Sequence, residues 1–367
     1  MKKILTIFGT RPEAIKLAPV IKELNKRQRE FVSIIGLTGQ HDEMLQQVLE
    51  IFAIQHDFNI KVMRENQSLP QLTARILLKI TEKLREYNPD IILVQGDTTT
   101  VFATTVAAYY AKIKIAHVEA GLRTYDKYQP FPEELNRRFT DQVSDFLFAP
   151  TEQNRINLIR EGIEDGRIYI TGNTIVDALL EISANGHSNN ISSLPRIHGK
   201  VILLTVHRRE NFGKPVENIF KAVRELAENY GDMQFVYPVH PNPNVRNVAH
   251  NCLQNLPNVH LIPPVDYVSF VQLMKRAYLI LTDSGGIQEE APTLRKPVIV
   301  LRDRTERGEL VNAGGAKVVG SDKEKIVYEV RKLVENESYY RGMTEIVNPF
   351  GDGKAAERIV EILGRSL

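Results

Sequence analysis

Short β-branched runs alternate with amphipathic stretches almost from one end of this chain to the other, and they fall into two series. The first comprises Lys3–Phe8, Val32–Leu37, Ile91–Val94, Ile113–Val118, Phe146–Ala149 and Arg167–Ile170. The second comprises Val201–Val206, Gln234–Val239, Val259–Ile262, Tyr278–Leu281 and Pro297–Leu301. Between runs lie stretches such as Ala14–Leu24, where Ile15, Ala18, Ile21 and Leu24 share a face and Lys16, Lys22 and Glu23 point away. This alternation predicts an α/β protein with parallel sheets covered by helices on both faces. Two series predict two Rossmann-like, doubly wound domains, and 367 residues exceed what one ordinary core organises. The boundary is placed at Gly172-Asn173-Thr174, and the Asn-, Ser- and Gly-rich stretch Ser183–Lys200 reads as a loop. Two such domains in tandem are expected to face a cleft, with ligands at the carboxyl ends of the strands.

Composition narrows the function. Hydrophobic residues make up 43% and charged residues 25%, as in soluble globular proteins. A formal net charge of +2 gives no footprint for nucleic acid or an anionic membrane. No apolar run approaches transmembrane length, and Met1–Phe8 reads as a first buried strand rather than a signal peptide. Cys252 is the only cysteine, which excludes a disulfide framework and a cysteine metal site. The expected address is the cytoplasm.

The segment Asp283-Ser284-Gly285-Gly286-Ile287-Gln288-Glu289-Glu290 follows an apolar run directly. Two glycines there let backbone N–H groups approach an anionic ligand, and a helix start favours negative charge. Glu290, further along that helix, is placed to reach ribose hydroxyls. Together these features outline a nucleotide-diphosphate site; the plainer reading is a strand–helix turn with a solvated acidic start.

Other segments that follow strands carry chemistry. Gly9-Thr10-Arg11-Pro12-Glu13 opens a helix with proline in its first turn, placing Arg11 and Lys16 to hold phosphate. Gln95-Gly96-Asp97-Thr98 leads into another helix, where Asp97 or Thr98 is the expected cap; capping alone would account for Asp97. Glu119 ends a buried strand, where a carboxylate is costly without a partner or a task. Phe131-Pro132-Glu133-Glu134 opens a further helix, and acids in a first turn are ordinary dipole chemistry. His207-Arg208-Arg209-Glu210-Asn211 follows Val201–Val206. His117-Val118-Glu119 matches half of a zinc deaminase signature, but the other half needs two cysteines. No His-Glu-x-x-His pair occurs, so no metal is expected. The glycines never form the nicotinamide fingerprint after the first strand, so no redox cofactor is expected.

Taken in order, Gly9–Glu13, Gly96-Asp97-Thr98, His117–Gly121, Pro132-Glu133-Glu134, His207–Asn211, Asp283–Pro292 and Thr305-Glu306-Arg307 resemble the non-hydrolysing UDP-N-acetylglucosamine 2-epimerases over nearly the whole chain. The resemblance implies the GT-B architecture. Residues 1–171 would form an N-terminal domain completed by a C-terminal helix at 354–367, and 172–353 a UDP-binding domain. It implies reversible conversion of UDP-GlcNAc to UDP-ManNAc for bacterial surface polysaccharides, without cofactor or metal, by a cytoplasmic homodimer. By motif position, Asp97, Glu119, Glu133 and His207 correspond to the catalytic set. Arg11, Lys16, Phe270, Ser284, Gly285, Gly286, Glu290 and Arg307, with Asp97 and His207, correspond to the UDP-sugar site. Val265 departs from the family, whose members often have Gln there. Gln40, Arg208 and His240 match positions tied to an activating second UDP-GlcNAc, whereas Glu43 and Asn66 stand where Gln and Arg are expected.

The residue types suit that chemistry. Nothing acidifies the C2 proton of a GlcNAc ring, so loss of UDP together with that proton, giving 2-acetamidoglucal, avoids a free carbanion. The route needs a base on one face and an acid on the other, and cations for the departing diphosphate. The residues leave open a hydrolysing relative that releases ManNAc, a GT-B glycosyltransferase, and an idle nucleotide-sugar binding protein.

Overall fold

The computed structural model describes residues 1–39, 42–64, 67–184 and 198–366. They form two compact units, one of Met1–Ala178 with Phe350–Leu367 and the other of Leu179–Pro349.

The strands of the first unit are β1 (Lys2–Phe8), β2 (Phe31–Leu37), β3 (Phe58–Asn59), β4 (Ile91–Gln95), β5 (Lys114–Val118), β6 (Phe146–Ala149) and β7 (Ile168–Ile170). Its helices begin with α1 (Arg11–Lys26), α2 (Asp42–Ile51), α3 (Leu69–Tyr87) and α4 (Thr99–Ala111). They continue with α5 (Glu133–Val143), α6 (Glu152–Arg160) and α7 (Thr174–Ala184), whose last turns pass into the second unit. The second unit contains β8 (Val201–Thr205), β9 (Gln234–Pro238), β10 (Val259–Ile262), β11 (Ala277–Thr282), β12 (Val298–Val300) and β13 (Ala316–Val318). Its helices are α8 (Lys214–Asn229), α9 (Pro243–Leu253), α10 (Tyr267–Arg276), α11 (Gly285–Glu290), α12 (Gly308–Asn312), α13 (Lys323–Glu335) and α14 (Glu337–Thr344). The last helix, α15 (Ala355–Ser366), belongs to the first unit.

Both sheets are parallel, in the orders β3-β2-β1-β4-β5-β6-β7 and β10-β9-β8-β11-β12-β13. Each order reverses direction once, between β1 and β4 in the first and between β8 and β11 in the second. At such a reversal the connections leave to opposite sides and open a crevice at the strands' carboxyl ends. Segments 9–13 and 96–98 therefore meet in one unit, and 206–211 and 283–286 in the other. Continuous apolar strands explain the burial: Ile4, Leu5, Ile7, Ile91, Ile92, Leu93 and Val94 are fully buried, as parallel sheets covered on both faces require.

The helix start of α1 is a capping box. Glu13 accepts from the Thr10 backbone, and Pro12 occupies the first turn. Helix α15 is held to α7 by Asp177, whose carboxylate accepts the N–H of Ala356 at 2.9 Å and of Ala355 at 3.3 Å. These are orphan donors of a helix start, satisfied by an acid from another element. Of the Asn/Ser/Gly-rich stretch, Ser183 lies in α7 and 185–197 lie outside the described residues.

Candidate functional site

In the first unit, Glu119 follows β5 with 8% of its surface exposed and a left-handed φ of 69°. Few residues other than glycine adopt that conformation. It is held because the N–H groups of Glu119 and Ala120 both donate to the Phe148 carbonyl, each at 3.1 Å. The turn aims the carboxylate at the carboxyl edge of the sheet. There its oxygens receive the Lys16 ammonium, the Gln95 amide and, at 3.0 Å, the Asn173 amide. A buried carboxylate with an ion pair and two amide donors is fully accounted for.

Of the two expected caps the structure uses Thr98 and leaves the Asp97 side chain to another partner. Thr98 is the N-cap of α4, accepting from the Val101 N–H, and the Asp97 carboxylate instead pairs with Arg137 of α5. Its backbone carbonyl accepts from Asn136 at 2.9 Å. A cap is thus excluded as the whole explanation of Asp97. Gly96, before it, has φ +78°, and the turn from strand to cap needs that freedom. Thr98 also donates to Glu13 at 2.6 Å, joining the two loops of the β1/β4 crevice. Burial of Glu13 raises its pKa above the ordinary carboxylate value, against the pull of its hydrogen bonds from Thr98, Gly9 and Thr10.

Helix α5 starts at Glu133, which is half-buried. Glu134 is fully buried and accepts the N–H groups of Thr124 and Tyr125, each at 3.1 Å, so it anchors the preceding loop. Arg11, at the start of α1, is half-buried. The first unit therefore gathers Lys16, Asp97 and Glu119, with Glu13, Gln95, Arg137 and Asn173 as partners that the sequence did not single out. Glu13 and Gln95 sit inside the quoted motifs. Arg137 lies one helical turn past Glu134, and that spacing was the available signal.

In the second unit the organising group is Asp283, with no exposed surface. Its carboxylate accepts the N–H of His207 at 2.9 Å, of Arg208 at 2.9 Å and the Asn211 amide at 3.0 Å. The loop after β8 thereby wraps around the end of β11. His207 Nδ1 lies 3.3 Å from Asp283, and its ring stacks on His240 with centroids 5.8 Å apart. Burial pushes the His207 pKa below the ordinary value; Asp283 pulls it up, while Arg208, His240 and Arg302 push it down.

Of the glycines after Asp283, Gly285 is the one crowded by neighbouring side chains. A side chain on Gly285 would come within 3.0 Å of a Glu306 oxygen and 3.3 Å of the Arg307 guanidinium carbon. The turn must stay bare for that pair to lie against it. Arg307 donates to Glu289 at 2.8 Å and pairs with Glu306 at 2.9 Å. Glu306 also pairs with Arg302 at 2.8 Å, and despite burial its pKa is pulled down to about 2 by Arg307 and Arg302. Gln288 ties the turn together, donating to the Ser284 carbonyl at 3.2 Å and accepting from Thr305 at 2.7 Å. Glu290 is buried, with the Tyr267 hydroxyl of α10 at 3.2 Å. Phe270, on the same helix as Tyr267, is half-buried. Gln40 and Asn66 lie outside the described residues, as does the Glu43 side chain, so of the residues read from the resemblance as effector contacts only Arg208 and His240 are placed.

Among the described residues no helix is long and apolar enough to cross a membrane. Residues 22–364 match the family model described as UDP-N-acetylglucosamine 2-epimerase. The Escherichia coli K12 UDP-N-acetylglucosamine 2-epimerase is 50% identical, with 98% of each chain covered. The crystal structure of UDP-GlcNAc 2-epimerase from Neisseria meningitidis bound to UDP-GlcNAc superposes with a TM-score of 0.94 at 48% identity, over 99% of this chain and 100% of that one. The Methanocaldococcus jannaschii UDP-GlcNAc 2-epimerase in complex with UDP-GlcNAc and UDP gives a TM-score of 0.85 at 38% identity, over 99% and 100%. Two parallel Rossmann-like sheets and these likenesses give the chain the GT-B architecture. With likeness running the full length of each relative and one family model spanning most of the sequence, this chain belongs to the UDP-N-acetylglucosamine 2-epimerase family.

Proposed function

We propose that this protein interconverts UDP-GlcNAc and UDP-ManNAc without hydrolysis, eliminating UDP to 2-acetamidoglucal and adding it back. The observation that carries the reading is the set of carboxylates at the carboxyl edge of the first sheet, Asp97 and Glu119 with their cationic partners Arg137 and Lys16, in a chain of this family. Glu133, at the start of α5, completes the acid set.

In the forward direction a carboxylate takes the C2 proton while the C1–O bond breaks and its electron pair leaves with UDP. The new C1–C2 double bond is the glycal. On return, a proton is delivered to C2 from the opposite face and UDP oxygen attacks C1. The three acids supply the base and the acid. Arg11, Lys16 and His207 offset the charge of the departing diphosphate, as do Arg307 and the Ser284-Gly285-Gly286 turn. Phe270 and Glu290 hold the uridine and ribose. Proton loss and regain balance, so the cycle consumes no oxidant or reductant. We further propose that residues 1–171 with 354–367 carry the proton chemistry, and that 172–353 carry the UDP site. Arg208 and His240 are the candidate effector contacts.

Turnover of UDP-GlcNAc in heavy water tests the reading. The expected product is UDP-ManNAc carrying deuterium at C2, with an oxygen label bridging C1 and phosphorus scrambled into non-bridging positions. Accumulation of free ManNAc and UDP would assign the hydrolysing reaction instead, and full retention of the original hydrogen at C2 would sink elimination.

A further inference from the structure

His117 lies next to the last residue of β5, with no exposed surface, between Val94 of β4 and Leu147 of β6. Its Nδ1 is 2.7 Å from Asp141 of α5, and its Nε2 is 2.8 Å from the Gly96 carbonyl. The other Asp141 oxygen is filled by Arg123 at 2.7 Å and the Gly121 N–H at 3.2 Å. Arg123 in turn holds Glu161 through two bonds of 3.0 and 2.7 Å. Burial works to raise the Asp141 pKa, yet His117 and Arg123 bring it below the ordinary value, so this carboxylate accepts and does not donate.

Both ring nitrogens of His117 therefore face acceptors. A neutral imidazole has one N–H, and either tautomer would turn a bare lone pair on a carboxylate or carbonyl oxygen less than 3 Å away. An imidazolium donates to both. Glu161 is offset by Arg138 at 3.1 Å as well as by Arg123, which leaves the ring to face Asp141.

We infer that His117 is a positioning residue, a buried imidazolium that clamps the Gly96 carbonyl and so sets the direction of the Asp97 carboxylate. The inference rests on the proposed role of Asp97 in epimerisation. The carbonyl of Gly96 shares one rigid plane with the N–H and Cα of Asp97, so fixing the oxygen fixes the start of that side chain. Helix α5 then grips Asp97 from both sides, through Asp141 and His117 at the peptide before it and through Asn136 and Arg137 at its own carbonyl and carboxylate. Glu119, two residues past His117, hangs from the same strand, while Asp141 takes the Gly121 N–H just beyond it. The quartet thus ties together the segments that carry Asp97, Glu119 and Glu133. Misplacement of a reacting group by about 1 Å costs on the order of a hundredfold in rate, which is the scale of effect that such a clamp prevents.

Two measurements on the full-length protein test this. At about pH 8, where an ordinary imidazole is neutral, nitrogen NMR of histidine-labelled protein, assigned with His117→Gln, is expected to show protons on both ring nitrogens of His117; one bare nitrogen overturns the clamp. In kinetics, His117→Gln and Asp141→Asn are each expected to lower kcat by about tenfold to a hundredfold with KM for UDP-GlcNAc within about threefold. The double variant is expected to recover most of kcat, because the introduced glutamine would donate to the Gly96 carbonyl and accept from the introduced asparagine, while charge balance between Arg123 and Glu161 is kept. A purely structural role would lower melting temperature without that kcat-selective rescue. Single variants at wild-type kcat, or a double variant no better than either single, overturn the positioning role. If the wild-type protein does not epimerise UDP-GlcNAc, the functional reading fails, and the ring protonation still decides the clamp.

Discussion

Asp283, fully buried at the end of β11, accepts the backbone N–H of His207 at 2.9 Å, so the position of one proposed catalytic group is set by the carboxylate of another strand. Replacement by alanine would strand the N–H groups of His207 and Arg208 and the Asn211 amide in a buried setting. The expected loss is about 3 kcal/mol or more of stability. Asp283→Asn, which keeps one acceptor, is expected to lose less. Urea unfolding of both variants checks the order, and an alanine variant as stable as wild type would refute it.

Glu306 gives a signed dependence on acid. Its pKa is lowered from 4.5 to about 2, so the folded state binds fewer protons than the unfolded one. Its contribution, on the order of 3 kcal/mol at most, is complete above about pH 4.5 and is lost as pH falls towards about 2. Glu306→Gln is expected to be less stable than wild type at neutral pH and to converge on it at about pH 2. Denaturation midpoints across that range provide the comparison.

Glu13 carries the opposite sign. Burial raises its pKa, so the folded state holds its proton more tightly and stability falls as pH rises from 4.5 through the raised value. Glu13→Gln keeps an acceptor for Gly9 and Thr10 and can donate to Thr98. It is expected to flatten this decline, gaining on wild type between acid and neutral pH. Equal pH slopes for the two proteins would count against it.

Rate and affinity are expected to separate by unit. Glu119→Gln and Asp97→Asn are expected to cut kcat by about a hundredfold or more with UDP affinity held within a few-fold. Glu290→Ala is expected to weaken UDP binding instead, seen by calorimetry. Undiminished UDP affinity in that variant would remove the ribose assignment.

Alternation alone disclosed the paired Rossmann-like sheets, because parallel strands covered on both faces read as continuous apolar runs. Two strands escaped it. Phe58-Asn59 is only a dipeptide, and Ala316-Lys317-Val318 is an edge piece between glycines, so neither presents a period. Within the site, Glu119 was legible because a carboxylate at the end of an apolar run is anomalous. Asp141 was not, since an acid in the polar helix Glu133–Val143 reads as solvated, and only its depth in the fold reveals its partners. Asp97 illustrates the remaining limit: a cap and an ion pair to a residue 40 positions away look alike in sequence.

The return of α15 to α7 and α1 makes the second unit an insertion within the first. During translation, Leu179–Pro349 leaves the ribosome before Ala355–Ser366, so every strand of the second sheet is available while the first unit still lacks its closing helix. The nascent chain therefore carries an unfinished amino-terminal half past a neighbour that can complete its own core, and a helix made after that neighbour seals the domain that was begun first.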